Sequence, residues 1–271
     1  MEYCKELNLE FATKQEMFFA LKAKKDELIG LKKSQIKSSD GINLSIKPKV
    51  AQKAEPEDLK FGDTVKVAMN TTNYLDFDGD LIIDGAWGKS AKEQNGKTYH
   101  IINHDLKIGS IVAYPKDVSV SVEAVDWSSL GKDYKGSTEV LVFESTITEK
   151  TNNDAFLAYK DGEDIEHSIR LMYVKIDLAI NSDEQDDKAE KALFDKYIDK
   201  VANKDVAEER GYMWIVSEAK IYKEGSLVLF GANDATPPLQ KNSEPQISTH
   251  KQNNEPQDAL DYDFLTNNIF K

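Results

Sequence analysis

IEHSIRLMYVKIDLAI, residues 165–180, is the stretch from which the fold can be read. Ile165, Ile169, Leu171 and Tyr173 occupy odd positions, and from Val174 the apolar residues move to even ones, Ile176, Leu178 and Ile180. A period of two is the mark of a strand, because successive side chains point to opposite faces of a sheet. The change of phase after Tyr173 predicts a bulge or sharp bend, since one extra residue turns every later side chain to the other face. In the first half, Glu166, Ser168, Arg170 and Met172 share the polar face. His167 has the parity of the core-facing set, which favours a structural role for it.

Working outward, NDAFLAYKDG at 153–162 reads as a short helix stopped by Gly162. Upstream, from residue 64, strand text dominates in TVKVAMN, TYHIINH, SIVAY, VSVSVEAV and TEVLVFESTIT, with Val118, Val120 and Val122 alternating most cleanly. Downstream, Ala189, Leu193, Tyr197 and Val201 recur every four residues, so one helix is expected over about 184–208, with Ser182 and Gln185 as its capping box. Strands return in YMWIVSEAKIY and SLVLFG. Near the start, Thr13 and Glu16 form a second capping box, opening a helix that is expected to run to about Gly30 and to bury Met17, Phe18, Leu21, Leu28 and Ile29. The SSDG sequence at 38–41 reads as a turn, Ile42, Leu44 and Ile46 as a half-buried strand, and 48–60 as a loop. After Asn233 the chain turns rich in Pro, Gln, Asn and Ser through Asp258, a composition that does not bury enough apolar surface to order itself. Leu260, Tyr262, Phe264, Leu265 and Phe270 then mark a short segment suited to ordering on a partner. The expected organisation is an N-terminal helical arm and linker (1–60), a main domain (61–236) and a mostly disordered tail (237–271).

The 271 residues are 40% hydrophobic and 31% charged, with a formal net charge of −13. This is enough apolar content for one sizeable core, while the charge repels nucleic acid and anionic membrane surfaces; neither is an expected partner. Cys4 is the single cysteine, so no internal disulfide forms, as suits a reducing compartment. No run approaches the roughly 18 apolar residues of a membrane helix. The opening MEYCKELNLEF lacks the layout of a signal peptide, and an intracellular protein is expected.

Hydrolytic chemistry needs a nucleophile beside a base, and imidazole is the side chain whose ordinary pKa suits proton transfer near neutrality. The histidines are His100, His104, His167 and His250, the last in the tail where nothing would hold its geometry. His104 follows a strand in IINHD, where a side chain can face a cleft from an anchored backbone. His167 is adjacent to Ser168 but on the opposite face, which makes it a poor base for that hydroxyl. DFDGD places Asp76, Asp78 and Asp80 in the alternation of a calcium loop, yet Leu81 and Trp87 stand where that loop needs glycine and glutamate. The four-residue spacing of His100 and His104 suits a metal on a helix and not on a strand. No metal is assigned.

Four ordered blocks resemble the tailed-phage prohead protease family, which is similar in fold to the herpesvirus capsid maturation proteases. They are NYLDFDGDLIIDGAW (73–87), IINHDLKIGS (101–110), EHSIRLMY (166–173) and YKEGSLVLFGAN (222–233). The resemblance implies an α+β fold with a β-barrel-like core of mostly antiparallel strands and flanking helices. It implies a serine endopeptidase with Ser168 as nucleophile, His104 as general base and Glu224 as the third member; Asp105 and Glu218 remain open for that last place. No cofactor is implied. The implied substrates and partners are scaffolding protein, or a scaffolding-like extension of the major capsid protein, cut inside the assembling prohead in the host cytoplasm, and finally the protease itself. By analogy with the herpesvirus enzymes, the resemblance also implies a homodimer. Two departures stand out: Arg170 replaces a glycine common after Ser-Ile, and could donate toward an oxyanion, while the helix at 184–208 enlarges the stretch before the closing strand. The alternatives are a catalytically inactive capsid or scaffold component that keeps the fold, and an unrelated β-rich binding domain.

Overall fold

Alternation along the chain resolves into sheets. The computed structural model describes residues 1–40, 59–163 and 165–229. The expected strand at 42–46, most of the loop at 48–60 and the C-terminal tail with its docking segment lie outside the described residues. In chain order the elements are β1 (Glu2–Cys4), β2 (Leu9–Phe11), α1 (Lys14–Ala23), α2 (Lys25–Ser34), β3 (Lys37–Asp40), β4 (Thr64–Thr71), β5 (Asp80–Ile82) and α3 (Gly88–Gln94). They continue with β6 (Tyr99–Ile102), β7 (Ile111–Ala113), β8 (Val118–Asp126), β9 (Ser137–Thr146), α4 (Asn153–Asp161), β10 (Glu166–Ile180), α5 (Lys188–Ile198), α6 (Lys204–Arg210) and β11 (Tyr212–Val228).

The largest sheet runs β3-β10-β11-β6-β7, with β5 also paired to β11. β10 and β11 form its antiparallel spine, and β5 and β6 lie parallel to β11. A second sheet, β4-β9-β8, is antiparallel throughout. The two share one core: Met69, Leu141 and Phe143 of the smaller sheet meet Ile169, Leu171, Val216 and Ile221 of the larger. The fold is thus a mixture of helices and mostly antiparallel sheets, with six α-helices among the described residues. The barrel-like closure expected from the resemblance is not seen there: β3 and β7 end the large sheet without pairing to each other, and burial comes from sheet packing on sheet.

The bend expected after Tyr173 falls at Val174–Lys175, where the pairing of β10 with β11 slips. Val174 itself is exposed, and the inward phase resumes at Ile176 and Leu178. The first expected helix is two, broken at Lys24, and it extends to Ser34. Thr13 Oγ1 accepts the Glu16 N–H, and the Glu16 carboxylate accepts the Ala12 N–H, one residue earlier than a standard capping box has it. Met17, Phe18, Leu21 and Leu28 enter the main core. The expected helix at 184–208 is also two, α5 and α6, and it starts at Lys188 after a 3₁₀ turn, so Ser182 does not cap it. The interruption lets Asn203 bond the backbone N–H and C=O of Leu75, each at 2.9 Å. SSDG is likewise no simple turn, because residues 37–40 pair with the open edge of β10. No helix among the described residues is long and apolar enough to cross a membrane.

Candidate active site

Strand pairing carries three distant segments to one place. Ser168 stands opposite Ser226 across the β10–β11 ladder, so even-numbered residues at this end of β11 share its face. On the other side of β11, β6 runs parallel and ends at Ile102. The chain then turns sharply through Asn103 and His104, both left-handed at φ 53° and 54°. Asparagine and histidine tolerate that region better than most residues, though each such turn residue costs on the order of 1 kcal/mol. Two bonds to β11 hold the turn: Asn103 N–H donates to Leu227 O at 2.8 Å, and His104 N–H donates to Ser226 Oγ at 2.9 Å.

The turn folds the His104 ring back over β11. Its Nε2 lies 2.9 Å from Ser168 Oγ, and its Nδ1 lies 2.7 Å from Glu224 Oε1. Glu224 reaches this position through a wide bulge, because Arg170 alone on β10 faces Tyr222, Lys223 and Glu224 on β11, with Lys223 at φ 68°. Ser226 Oγ donates to the other carboxylate oxygen at 2.8 Å while accepting the His104 N–H, so a single hydroxyl ties the base's backbone to its carboxylate. Next to Glu224, a Cβ on Gly225 would come within 2.8 Å of the Phe143 ring and 2.9 Å of Met69 Sδ, so any larger residue there must displace core side chains.

Ser168 and Glu224 are fully buried, and the His104 side chain keeps 15% exposure. An ionised carboxylate only accepts hydrogen bonds, which places the imidazole proton on Nδ1 and aims the Nε2 lone pair at the Ser168 hydroxyl. Arg170, placed on the Ser168 face by parity, contacts two other members of the site. Its Nε lies 3.2 Å from Glu224 Oε1 and its Nη2 donates to His104 O at 3.1 Å, so the guanidinium braces the carboxylate and the turn together. The other two carboxylates are engaged elsewhere: Asp105 with Lys107 at 3.1 Å, and Glu218 with Lys89 at 3.2 Å and Lys175 at 2.6 Å.

Beneath this face, His167 points the opposite way, as its parity requires. Its Nε2 lies 2.9 Å from Tyr159 Oη, which is 3.3 Å from His100 Nε2, and His100 Nδ1 is 2.9 Å from Ser145 Oγ. Burial pushes His167 down to about 3 and holds His100 well below the usual imidazole range, with His167 adding repulsion to the latter. The three acidic residues of DFDGD do converge, their carboxylates lying within 4.8 Å of one another. Lysines fill the cluster: Lys37 Nζ is 2.8 Å from Asp78 and bonded to Asp80, and Lys32 Nζ is 2.6 Å from the other oxygen of Asp80. Sequence reasoning passed over Ser226 and Tyr159. Ser226 could have been found from its place two residues after Glu224 on a strand, and Tyr159 carried no comparable signal. Comparison with protein-family models, with curated proteins and with solved structures gives no match for this chain.

Proposed function

We propose that this chain is a serine endopeptidase in which Ser168 attacks, His104 carries the proton and Glu224 orients and stabilises His104. The observation that carries this reading is the continuous hydrogen-bonded line from Ser168 Oγ through both ring nitrogens of His104 to Glu224, at 2.9 and 2.7 Å. Nucleophile, base and orienting carboxylate within hydrogen-bond reach, with the base's tautomer fixed, is the arrangement by which acyl-transfer hydrolases are recognised irrespective of chain order.

Nε2 takes the Ser168 proton as Oγ bonds to the carbon of a peptide carbonyl, giving a tetrahedral adduct and an imidazolium held by Glu224. Nε2–H then protonates the leaving amine, the C–N bond breaks and an acyl-serine remains. Water, deprotonated by the same nitrogen, attacks the ester and returns Ser168 to its starting state. General base assistance of this kind supplies about 10²–10⁴-fold in rate.

The resemblance extends the proposal to a prohead-maturation protease acting on scaffolding protein, or on a scaffolding-like extension of the major capsid protein, within the assembling prohead in the host cytoplasm. One observation favours the alternative of a catalytically silent capsid component: Ser168 is fully buried. Co-expression with those capsid and scaffold proteins, comparing the chain with its Ser168→Ala variant by intact mass, separates the two. Shortened products that vanish with Ser168→Ala support the protease, and identical uncut products from both sink it.

A further inference from the structure

The outer edge of the strand that carries Ser168 is covered by β3. β3 lies antiparallel on β10 in the register Asp40 to Ser168, Ser39 to Ile169, Ser38 to Arg170 and Lys37 to Leu171. With β11 paired on one side of β10, this outer edge is the one at which an extended peptide can pair beside Ser168. Facing residues of an antiparallel pair sit about 4.5–5.5 Å apart at Cα, which brings the Asp40 backbone up to the hydroxyl-bearing residue. We propose that β3 is the resident occupant of a peptide-binding edge on β10, and that an extended peptide substrate binds by replacing it as an antiparallel strand. The inference rests on the reading of Ser168 as nucleophile and adds to it the binding mode and a restraint on access.

Three features single β3 out as an exchangeable strand. Its sequence, KSSD, contains no apolar residue, so its place in the sheet owes little to side-chain burial. Backbone pairing is indifferent to sequence, and strand addition at a sheet edge is a common way to bind extended peptides. Lys37 anchors it through its side chain, which is bonded to Asp80, lies 2.8 Å from Asp78 and 3.6 Å from Asp76, and donates to Tyr173 Oη at 3.1 Å. A bound peptide with lysine at the corresponding position, three residues before the one facing Ser168, can make the same set of bonds. The edge therefore favours such a peptide over one lacking that charge.

The test uses a fluorescein-labelled peptide of residues 35–40, QIKSSD, and a second peptide with alanine in place of its lysine. Both are titrated by anisotropy against the full chain carrying Ser168→Ala, with and without Lys37→Ala. Weakening the resident strand raises the fraction of molecules with an open edge, so both peptides are expected to bind at least about tenfold more tightly to the Lys37→Ala protein, with QIKSSD the tighter of the two on either protein. Equal affinity for both proteins overturns the proposal. Lys37→Ala also strips charge from the Asp76, Asp78 and Asp80 cluster and risks misfolding, so hydrogen exchange is measured on the protein with native Lys37. Saturating QIKSSD should expose the amides of 37–40 while those of 168–171 stay protected, and unchanged protection of 37–40 refutes the exchange. Neither readout needs turnover: Ser168-dependent cleavage without exchange sinks only this inference, and exchange without cleavage sinks only the protease reading.

Discussion

The buried imidazole of His167 gives a measurable acid dependence to the strand that carries Ser168. Burial holds its folded pKa at about 3, against 6.5 for a free imidazole. The folded state therefore binds fewer protons than the unfolded state between those values, so stability is fully present above pH 6.5 and is lost as pH falls toward 3. At pH 5 the loss from this one site is RT ln(1 + 10^1.5), about 2 kcal/mol, and it is nearly zero at pH 7.5. His100 shifts in the same direction, because it too is buried and because His167 lies beside it. Asp76 works against them: desolvation and the neighbouring Asp80 raise it to about 6, so its protonation on acidification returns about 1 kcal/mol. A comparison of the native chain with His167→Gln cancels most of what the sites share. In urea unfolding, the stability gap between the two proteins should narrow by about 2 kcal/mol from pH 7.5 to pH 5. A gap constant to within about 0.5 kcal/mol, less than the linkage expects, would mean that His167 takes up a proton inside the fold, and would refute the burial argument.

Three substitutions bear on the site. Glu224→Gln keeps the shape but loses the charge that fixes the His104 tautomer, so turnover of a cleaved substrate should fall by about 10⁴-fold with little change in KM, and thermal unfolding should come at lower temperature because Arg170 loses its counter-charge. Arg170→Lys removes the planar fork that spans Glu224 and the His104 carbonyl; kcat should drop by about ten- to a hundredfold while KM holds, and an equal rise in KM would point to substrate contact instead. Gly225→Ala forces a methyl against Phe143 and Met69 and should cost about 1–3 kcal/mol in urea denaturation.

Period-two patterning was the strongest local signal, and it located strand text wherever one face is buried: Val118 and Val120 point inward on β8, and the change of phase in β10 marks a real slip in pairing. Helix ends were harder to read. The spacing of Met17, Leu21 and Leu28 continues straight through Lys24, yet the chain breaks there, and the second helix directs Lys25 to Glu190 at 2.9 Å and Lys32 to Asp80 at 2.6 Å. Those partners lie 165 and 48 residues away, so no local pattern could announce the break. The same holds for β3, whose polar sequence reads as a turn until the open edge of β10 supplies its hydrogen bonds.

The site depends on long-range pairing in the same way. Parity put Ser168 and Arg170 on one face, and the resemblance singled out His104 and Glu224, but alternation contains nothing that sets β6 parallel to β11 or opens a bulge opposite Arg170. Three residues of β11 stand against Arg170 alone on β10, and Glu224 lies within reach of its guanidinium. The same distortion lets Glu224 touch Arg170, Ser226 and His104 together. A carboxylate held by three donors has little freedom to rotate, and a base held at both its backbone and its Nδ1 has as little. The precision of the Ser168–His104 contact therefore comes from an irregularity in the sheet, which a pattern of alternating residues does not encode.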